Sequence, residues 1–413
     1  MSGRLLMVIP PVMIKNGGRL EVDVDFANNL RAYLQDFDHV TIAAPLAAPG
    51  HREGIPATVP LDEISGHDRA TIVELPWPFR EDRYVRYRWQ VTSLLRSLIN
   101  EADYPSFSPY GPLDWASLGA NLARRMGRSY NVEADWDIEN VVSSLIAEMP
   151  PGPRRFRRRL LLAQFMRSYL KALRGSSAAL LMGQDVYEAY KDVTPNPHKV
   201  FNIQVTSKDR LTEAELGKKV RRIDAGEPLI ISYAGRVHEM KGPFDWLEAV
   251  NLLVKSGIPL RATWFGGGHL LEALRSKKAE LGLSDDVVTF PGKVDRAVAI
   301  ATIRRSDIFL VCHKTPESPR NLIEALACAT PLVAYESRYA RDLVSERGGG
   351  EFVPTSDWRA LAERVRALSD DRPRLAQLVR DAHSTAKTLD REKAIQHRIG
   401  LIKMSIRPLA SSN

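Results

Sequence analysis

Leu229-Ile-Ile-Ser-Tyr-Ala-Gly-Arg-Val-His-Glu-Met-Lys-Gly242 opens as a short apolar run rich in β-formers, breaks at Gly235, carries the cations Arg236 and Lys241, and gives way to a helical pattern from Pro243. Strand, glycine-bearing loop and helix in that order form the repeating unit of a parallel sheet covered by helices. The unit recurs downstream. Strands are expected at 260–265, 287–290, 308–311 and 332–335, with helices near 244–255, 270–281, 297–304 and 322–328, so this half reads as a doubly wound α/β domain.

Upstream, apolar runs at 5–9, 40–44, 70–74, 130–133 and 179–182 predict a second open α/β domain with longer, more polar connections. A length of 413 residues exceeds what one core usually serves. The expected division is 1–205, a polar linker at 206–228, a second domain at 229–389, and a helix and tail at 390–413 with Pro408 beyond the helix. Two such domains facing each other leave a central cleft at the carboxyl ends of their strands, where ligands of open sheets bind.

An apolar fraction of 44% with 26% charged residues excludes a disordered or fibrous chain. The N-terminal apolar run is broken by Pro10 and Pro11 and is too short to span a bilayer. No small-residue cleavage site follows it, and Cys312 and Cys328 are the only cysteines, so a cytoplasmic protein without disulfides is expected. The net charge of +8 suggests an anionic partner. Arg154, Arg155, Arg157, Arg158, Arg159, Arg167, Lys171 and Arg174 lie together without an acidic residue and equal the whole excess.

Three loops carry candidate chemistry. Arg236 and Lys241 would neutralise a departing diphosphate, and Gly235 with Gly242 would let backbone approach it; a solvated turn is the alternative. In the loop after 308–311, Glu324 stands out in the expected first turn of an otherwise apolar helix. Its carboxylate either caps the helix or accepts both hydroxyls of a ribose. The helix start at Pro319, Arg320, Asn321 and Leu322 offers amides to a phosphate. Glu317 would reach sugar hydroxyls or simply be solvated. Gly266-Gly-Gly268 reads as a tight strand-to-helix turn rather than a dinucleotide fingerprint. Near the N-terminus, Gly17 and Gly18 form either a flexible loop facing the cleft or an ordinary turn.

The segment from Tyr233 to about Leu368 resembles the C-terminal domain of the family-4 retaining GT-B glycosyltransferases. The resemblance rests on the Gly-Arg…Lys-Gly loop, the Phe-Gly-Gly-Gly turn, Leu281-Gly-Leu-Ser-Asp-Asp-Val-Val-Thr-Phe-Pro-Gly292, and Leu322-Ile-Glu-Ala-Leu followed by Thr330-Pro-Leu-Val-Ala334. It implies the GT-B fold, two Rossmann-like doubly wound domains, with an acceptor-binding first domain and a nucleotide-sugar-binding second. It further implies Arg236 and Lys241 on the diphosphate, Glu324 on the ribose, Glu317 on the donor sugar, and backbone near Pro291 to Val294 on the base. One residue fewer separates Glu317 from Glu324 than in the family's paired glutamates. Where many members carry an N-domain histidine, this chain reads Asn131-Val-Glu-Ala-Asp-Trp-Asp137; Asp135 or Asp137 would bind hydroxyls and Trp136 would stack on a sugar, or Asp137 caps a helix beside a packed tryptophan.

The expected catalytic set is Arg236, Lys241 and Glu317, acting by charge stabilisation. The substrate-binding set is Gly17, Gly18, Asp135, Gly235, Val294, Pro319, Arg320, Asn321, Leu322 and Glu324. No cofactor beyond a UDP- or GDP-sugar donor is expected, and no metal, since no cluster shows metal-ligand spacing. The function expected is transfer of a hexose-type sugar to a lipid-linked glycan in polysaccharide assembly. Its rivals are an epimerase of nucleotide sugars and a non-catalytic binding homologue. Residues 154–174 form a basic stretch with Leu160, Leu161, Phe165, Tyr169 and Leu173 at helical spacing, suited equally to an anionic membrane surface or to core packing. No recognised nucleic-acid module accompanies the charge.

Overall fold

The computed structural model describes residues 3–47, 57–315 and 317–406; Pro408 and the rest of the expected tail lie outside the described residues. The chain divides into two units, one of residues 1–201 with 392–413 and one of residues 202–391.

In the first unit the strands are β1 (Arg4–Val8), β2 (Met13–Asn16), β3 (Arg19–Asp23), β4 (His39–Pro45), β5 (Thr58–Pro60), β6 (Ala70–Leu75), β7 (Tyr104–Phe107), β8 (Asn131–Ala134), β9 (Ala178–Met182) and β10 (Pro197–Val200). Seven of them build a parallel sheet in the order β10-β9-β8-β7-β1-β4-β6. β1 and β9 are apolar almost throughout, as a sheet covered on both faces requires, and β8 is buried along its length although it carries Asn131 and Glu133. The strands β7 and β10 escape a periodicity reading because Pro105 and Pro197 lie within them and each is only four residues long.

Gly17 and Gly18 are the two-residue turn of the β2–β3 hairpin, with Asn16 opposite Arg19 and both glycines at positive φ. The helix that follows this hairpin starts at Val24, capped by Asp23. A flexible loop at these glycines is corrected to a tight turn.

The helix Arg391–Ser405 belongs with the first unit. Ile395, Ile399 and Ile402 bury against Leu5, Met7, Tyr104 and Leu180. Each such side chain contributes roughly 1.5–3 kcal/mol when fully buried.

The second unit holds β11 (Leu229–Ala234), β12 (Leu260–Phe265), β13 (Val288–Gly292), β14 (Ile308–Val311), β15 (Leu332–Tyr335) and β16 (Gly350–Val353), all parallel in the order β13-β12-β11-β14-β15-β16. The order reverses between β11 and β14, so the loops leaving those neighbours diverge and open a crevice at their carboxyl ends. The expected linker at 206–228 is corrected: it contains the helix Glu213–Asp224, packed into this unit through Leu216, Val220 and Ile223. Its charged outer face hid the stripe, and the buried Lys219 is satisfied by Cys328 O at 3.3 Å, Ala329 O at 2.9 Å and Thr330 Oγ1 at 2.8 Å.

Candidate active site at a strand-order reversal

The loop after β11 is locked before any ligand arrives. Val237 N–H donates to Gly267 O at 2.9 Å, and Gly235 N–H to Phe265 O at 2.8 Å. A Cβ at Gly266 would lie 2.0 Å from Gly235 O, and one at Gly268 would lie 2.2 Å from Val237 O. The Gly-Gly-Gly turn thus allows two backbones to touch, which fixes the path of the cation loop. A Cβ at Gly242 would lie 2.3 Å from Cys312 O, so this glycine serves the contact between the β11 and β14 loops. Gly235 sits over the hydroxyl of Tyr233. In both cases the absence of a side chain makes room for the protein's own atoms.

Lys241 is buried, and its Nζ lies 2.6 Å from Oε2 of Glu317. Burial, with the charge of Arg236, holds its ammonium below the usual lysine range, while Glu317 opposes that shift. Oε1 of Glu317 also accepts from Thr315 Oγ1 at 3.4 Å and lies 3.8 Å from His313 Nδ1. The other edge of that ring, Nε2, is 2.5 Å from the hydroxyl of buried Tyr233. Burial and the neighbouring Lys241 hold His313 well below the usual imidazole range, so the ring is neutral. Arg236 is exposed at the same strand end.

The helix after β14 starts at Arg320 rather than Leu322, with Pro319 as its N-cap. Glu324 is therefore its fifth residue, not a first-turn cap; Arg320 and Asn321 extend the helix ahead of the apolar run. Glu324 is bound instead by Arg296, whose Nε is 2.9 Å from Oε1 and whose guanidinium also reaches Asp209 at 3.3 Å. Asn321 donates to Ala234 O at 2.6 Å and leaves its own carbonyl oxygen buried without a partner. Leu322 is buried, and Val294 is half-buried between β13 and the helix Arg296–Arg305. One crevice thus gathers Arg236, Lys241, Glu317 and the 319–322 helix start. Arg296, His313 and Tyr233 were missed by sequence reasoning. His313 stood beside Cys312 in a loop already singled out, whereas nothing in its own segment ties Arg296 to Glu324.

In the first unit, Asp135 is exposed in the turn after β8, and Asp137 caps the helix Ile138–Glu148 through Asn140 N at 3.2 Å. Trp136 packs at the end of an aromatic row: Trp77 to Phe79 at 5.0 Å, Phe79 to Tyr110 at 6.4 Å, and Tyr110 to Trp136 at 5.2 Å between ring centroids. These residues follow the carboxyl ends of β6, β7 and β8. Beside the row, Trp77, Arg80, Arg83 and Tyr87 line a hollow of about 920 Å³. The helix Pro153–Arg174 divides: Phe165, Tyr169 and Leu173 enter the core, whereas Phe156 and Leu160 stay 71% and 61% exposed. Core packing thus takes the second half of the expected stripe and leaves the first half exposed.

Residues 217–385 match the model of the glycosyl transferases group 1. The similarity to that family is confined to this segment of the chain. Among curated relatives, the chain is 32% identical over 162 residues to the putative colanic acid biosynthesis glycosyltransferase WcaL of Escherichia coli, covering 38% of this chain and 40% of that one. It is 27% identical over 168 residues to the amylovoran biosynthesis glycosyltransferase AmsK of Erwinia amylovora, covering 39% and 41%. The matches thus span about two fifths of those relatives. Among solved structures, Anabaena HepE in complex with UDP superposes with a TM-score of 0.68 at 14% identity, over 98% of this chain and 100% of that one. The chain has the GT-B fold.

Proposed function

We propose that this chain is a retaining glycosyltransferase that moves a hexose-type sugar from a UDP- or GDP-sugar to a lipid-linked glycan during bacterial polysaccharide assembly. The observation that carries the reading is the buried Lys241, fixed beside Glu317 at the β11–β14 reversal. As the bond from sugar to diphosphate breaks, negative charge grows on the leaving group. Arg236, Lys241 and the helix start at 319–322 would receive it, and a buried cation acts more strongly there than one in water. Glu317, steered by Lys241 and Thr315, is left to order sugar hydroxyls. Glu324, steered by Arg296, takes the ribose. Retention follows from the family resemblance. Besides the donor, no cofactor is assigned.

The acceptor and the site of action rest on the first unit. An aromatic row at the carboxyl edge of a sheet, flanked by Arg80 and Arg83, suits a glycan that carries negative charge. A groove of about 1170 Å³ runs between the helices Glu81–Glu101 and Pro153–Arg174, with Arg88, Arg96, Arg124, Arg167 and Lys171 on its walls. Val85 and Trp89 beside it are 70% and 85% exposed. Exposed aromatic and aliphatic groups set among cations match an anionic lipid surface, and no helix among the described residues is long and apolar enough to cross a membrane. The chain is therefore proposed to act on the cytoplasmic face of the bilayer.

Incubation with labelled UDP- and GDP-sugars and a bacterial membrane lipid extract tests the reading. Labelled glycolipid that disappears in Lys241→Ala supports it. A changed sugar nucleotide without acceptor product indicates an epimerase, and binding without turnover indicates a non-catalytic homologue; either outcome overturns transfer.

A further inference from the structure

Two histidines and a glutamate from neighbouring strand ends converge outside the donor machinery. Glu239 Oε2 lies 3.2 Å from His238 Nδ1, and Oε1 lies 2.9 Å from His269 Nε2, so one carboxylate bridges two imidazoles. All three ligand atoms lie within 4.8 Å of one another, and the two ring centroids are 5.0 Å apart. We infer that His238, Glu239 and His269 form a binding site for one divalent first-row transition metal of the zinc class.

The chemistry and the spacing agree. Two imidazoles and one carboxylate are a borderline donor set that suits zinc, cobalt or nickel and is poor for magnesium. A tetrahedral zinc ion with ligand bonds of about 2.0–2.1 Å separates its donors by about 3.3 Å, so both observed gaps need only small adjustment. The amide of Met240 engages His238 Nδ1 at a long 3.4 Å, which leaves that lone pair easily redirected. Partial exposure of the three side chains, 30%, 55% and 57%, gives an ion an entry path and leaves a position for water.

The scaffold is fixed in advance. His238 and Glu239 leave β11, and His269 follows the glycine turn after β12. Val237 N–H holds Gly267 O at 2.9 Å, and Leu270 N–H holds Val237 O at 3.4 Å. The backbone contact at Gly268 allows no side chain between the two loops. An ion here would clamp the loop that carries Arg236 and Lys241 to the neighbouring turn. The sequence did not disclose the site because His269 lies 31 positions from His238 and joins it only through β-strand pairing. The inference does not depend on transferase activity.

Tag-free full-length protein, stripped with a chelator and dialysed, is titrated with Zn²⁺ by calorimetry and with Co²⁺ by visible absorption. One ion per chain, a raised thermal midpoint with Zn²⁺, and at least tenfold weaker binding in both His238→Asn and His269→Asn are expected. Glu239→Gln provides a third variant if either histidine variant fails to fold. Absence of saturable binding in the wild type, or wild-type affinity in the variants, overturns the site.

Discussion

Lys241 Nζ lies 2.6 Å from Glu317 Oε2, and this contact joins the loops of β11 and β14 across the reversal of strand order. A buried ammonium beside one carboxylate is held in place and still has donors to spare for a phosphate. Replacing Lys241 with Ala removes the cation and leaves Glu317 unpaired. Loss of one charge-assisted hydrogen bond costs about 1.5–3 kcal/mol, so affinity for whichever of UDP or GDP binds should fall about 10- to 100-fold by calorimetry. Glu317→Gln should keep diphosphate affinity within a few-fold and lower transfer instead. Equal affinity in Lys241→Ala and wild type would contradict the diphosphate role.

Glu324 and Arg296 should separate in the same assay. If Glu324 receives the ribose, Glu324→Ala removes nucleotide affinity while the domain stays folded. Arg296 is half exposed and only steers the carboxylate, so Arg296→Ala should weaken binding by several-fold, not abolish it. A larger loss in Arg296→Ala than in Glu324→Ala would reverse the assignment and make the guanidinium the ligand contact.

Much of this arrangement is legible in the residues themselves. β11, β12, β14 and β15 fall at the predicted limits because parallel strands write short, largely apolar runs, interrupted in β12 only by Arg261 and Thr263, and the cation loop follows directly from Gly235 and Gly242. Elements whose stabilisation comes from partners far along the chain were not legible. The helix Glu213–Asp224 looks polar until Lys219 meets the carbonyls near Thr330, and β7 begins Tyr-Pro because its neighbours supply the ladder. Glu324 stands out in the sequence as a lone carboxylate in an apolar helix, yet its partner Arg296 lies on another helix that only the fold brings near. Likewise, the glycine run was read as a turn, while its contact with the 235–237 backbone needs the β11–β12 register.

That contact makes Gly268 a sensitive position. A methyl group placed 2.2 Å from Val237 O must push the cation loop away from the turn, because the atoms it meets are backbone and not the end of a flexible side chain. Gly268→Ala should cost about 1–3 kcal/mol in denaturant unfolding of the second unit and also weaken UDP or GDP binding. A variant with wild-type affinity would mean that the loop's position is unimportant to the donor.

His313 gives the second unit a defined acid sensitivity. Above its ordinary value of 6.5 the imidazole is neutral both folded and unfolded. Below it the unfolded chain takes up a proton that the buried ring, crowded by Lys241, refuses. Stability contributed by this residue is therefore lost as pH falls below 6.5, by about 1.4 kcal/mol per pH unit until the folded value is reached. Urea midpoints should drop between pH 6.5 and 5.5 and drop less in His313→Gln. Parallel curves for the two proteins would remove His313 as the source.

Membrane docking makes a demand on two helices at once. Phe156 and Leu160 project from the helix Pro153–Arg174, and Val85 and Trp89 from the helix Glu81–Glu101, whose starts are tied by the Arg157–Glu81 ion pair. Arg157 already has that partner, whereas Arg154, Arg158 and Arg159 are exposed beside Phe156 and Leu160. Cations near an anionic bilayer each strengthen binding by about fivefold, so changing these three to Ser should cost about 100-fold on phosphatidylserine vesicles and little on neutral ones. Trp89→Ala removes the most exposed aromatic group on the other helix and should weaken sedimentation with anionic vesicles while leaving nucleotide affinity intact. If the triple Ser variant sediments like the wild type, the basic segment is solvated surface, and the acceptor must reach this chain without its help.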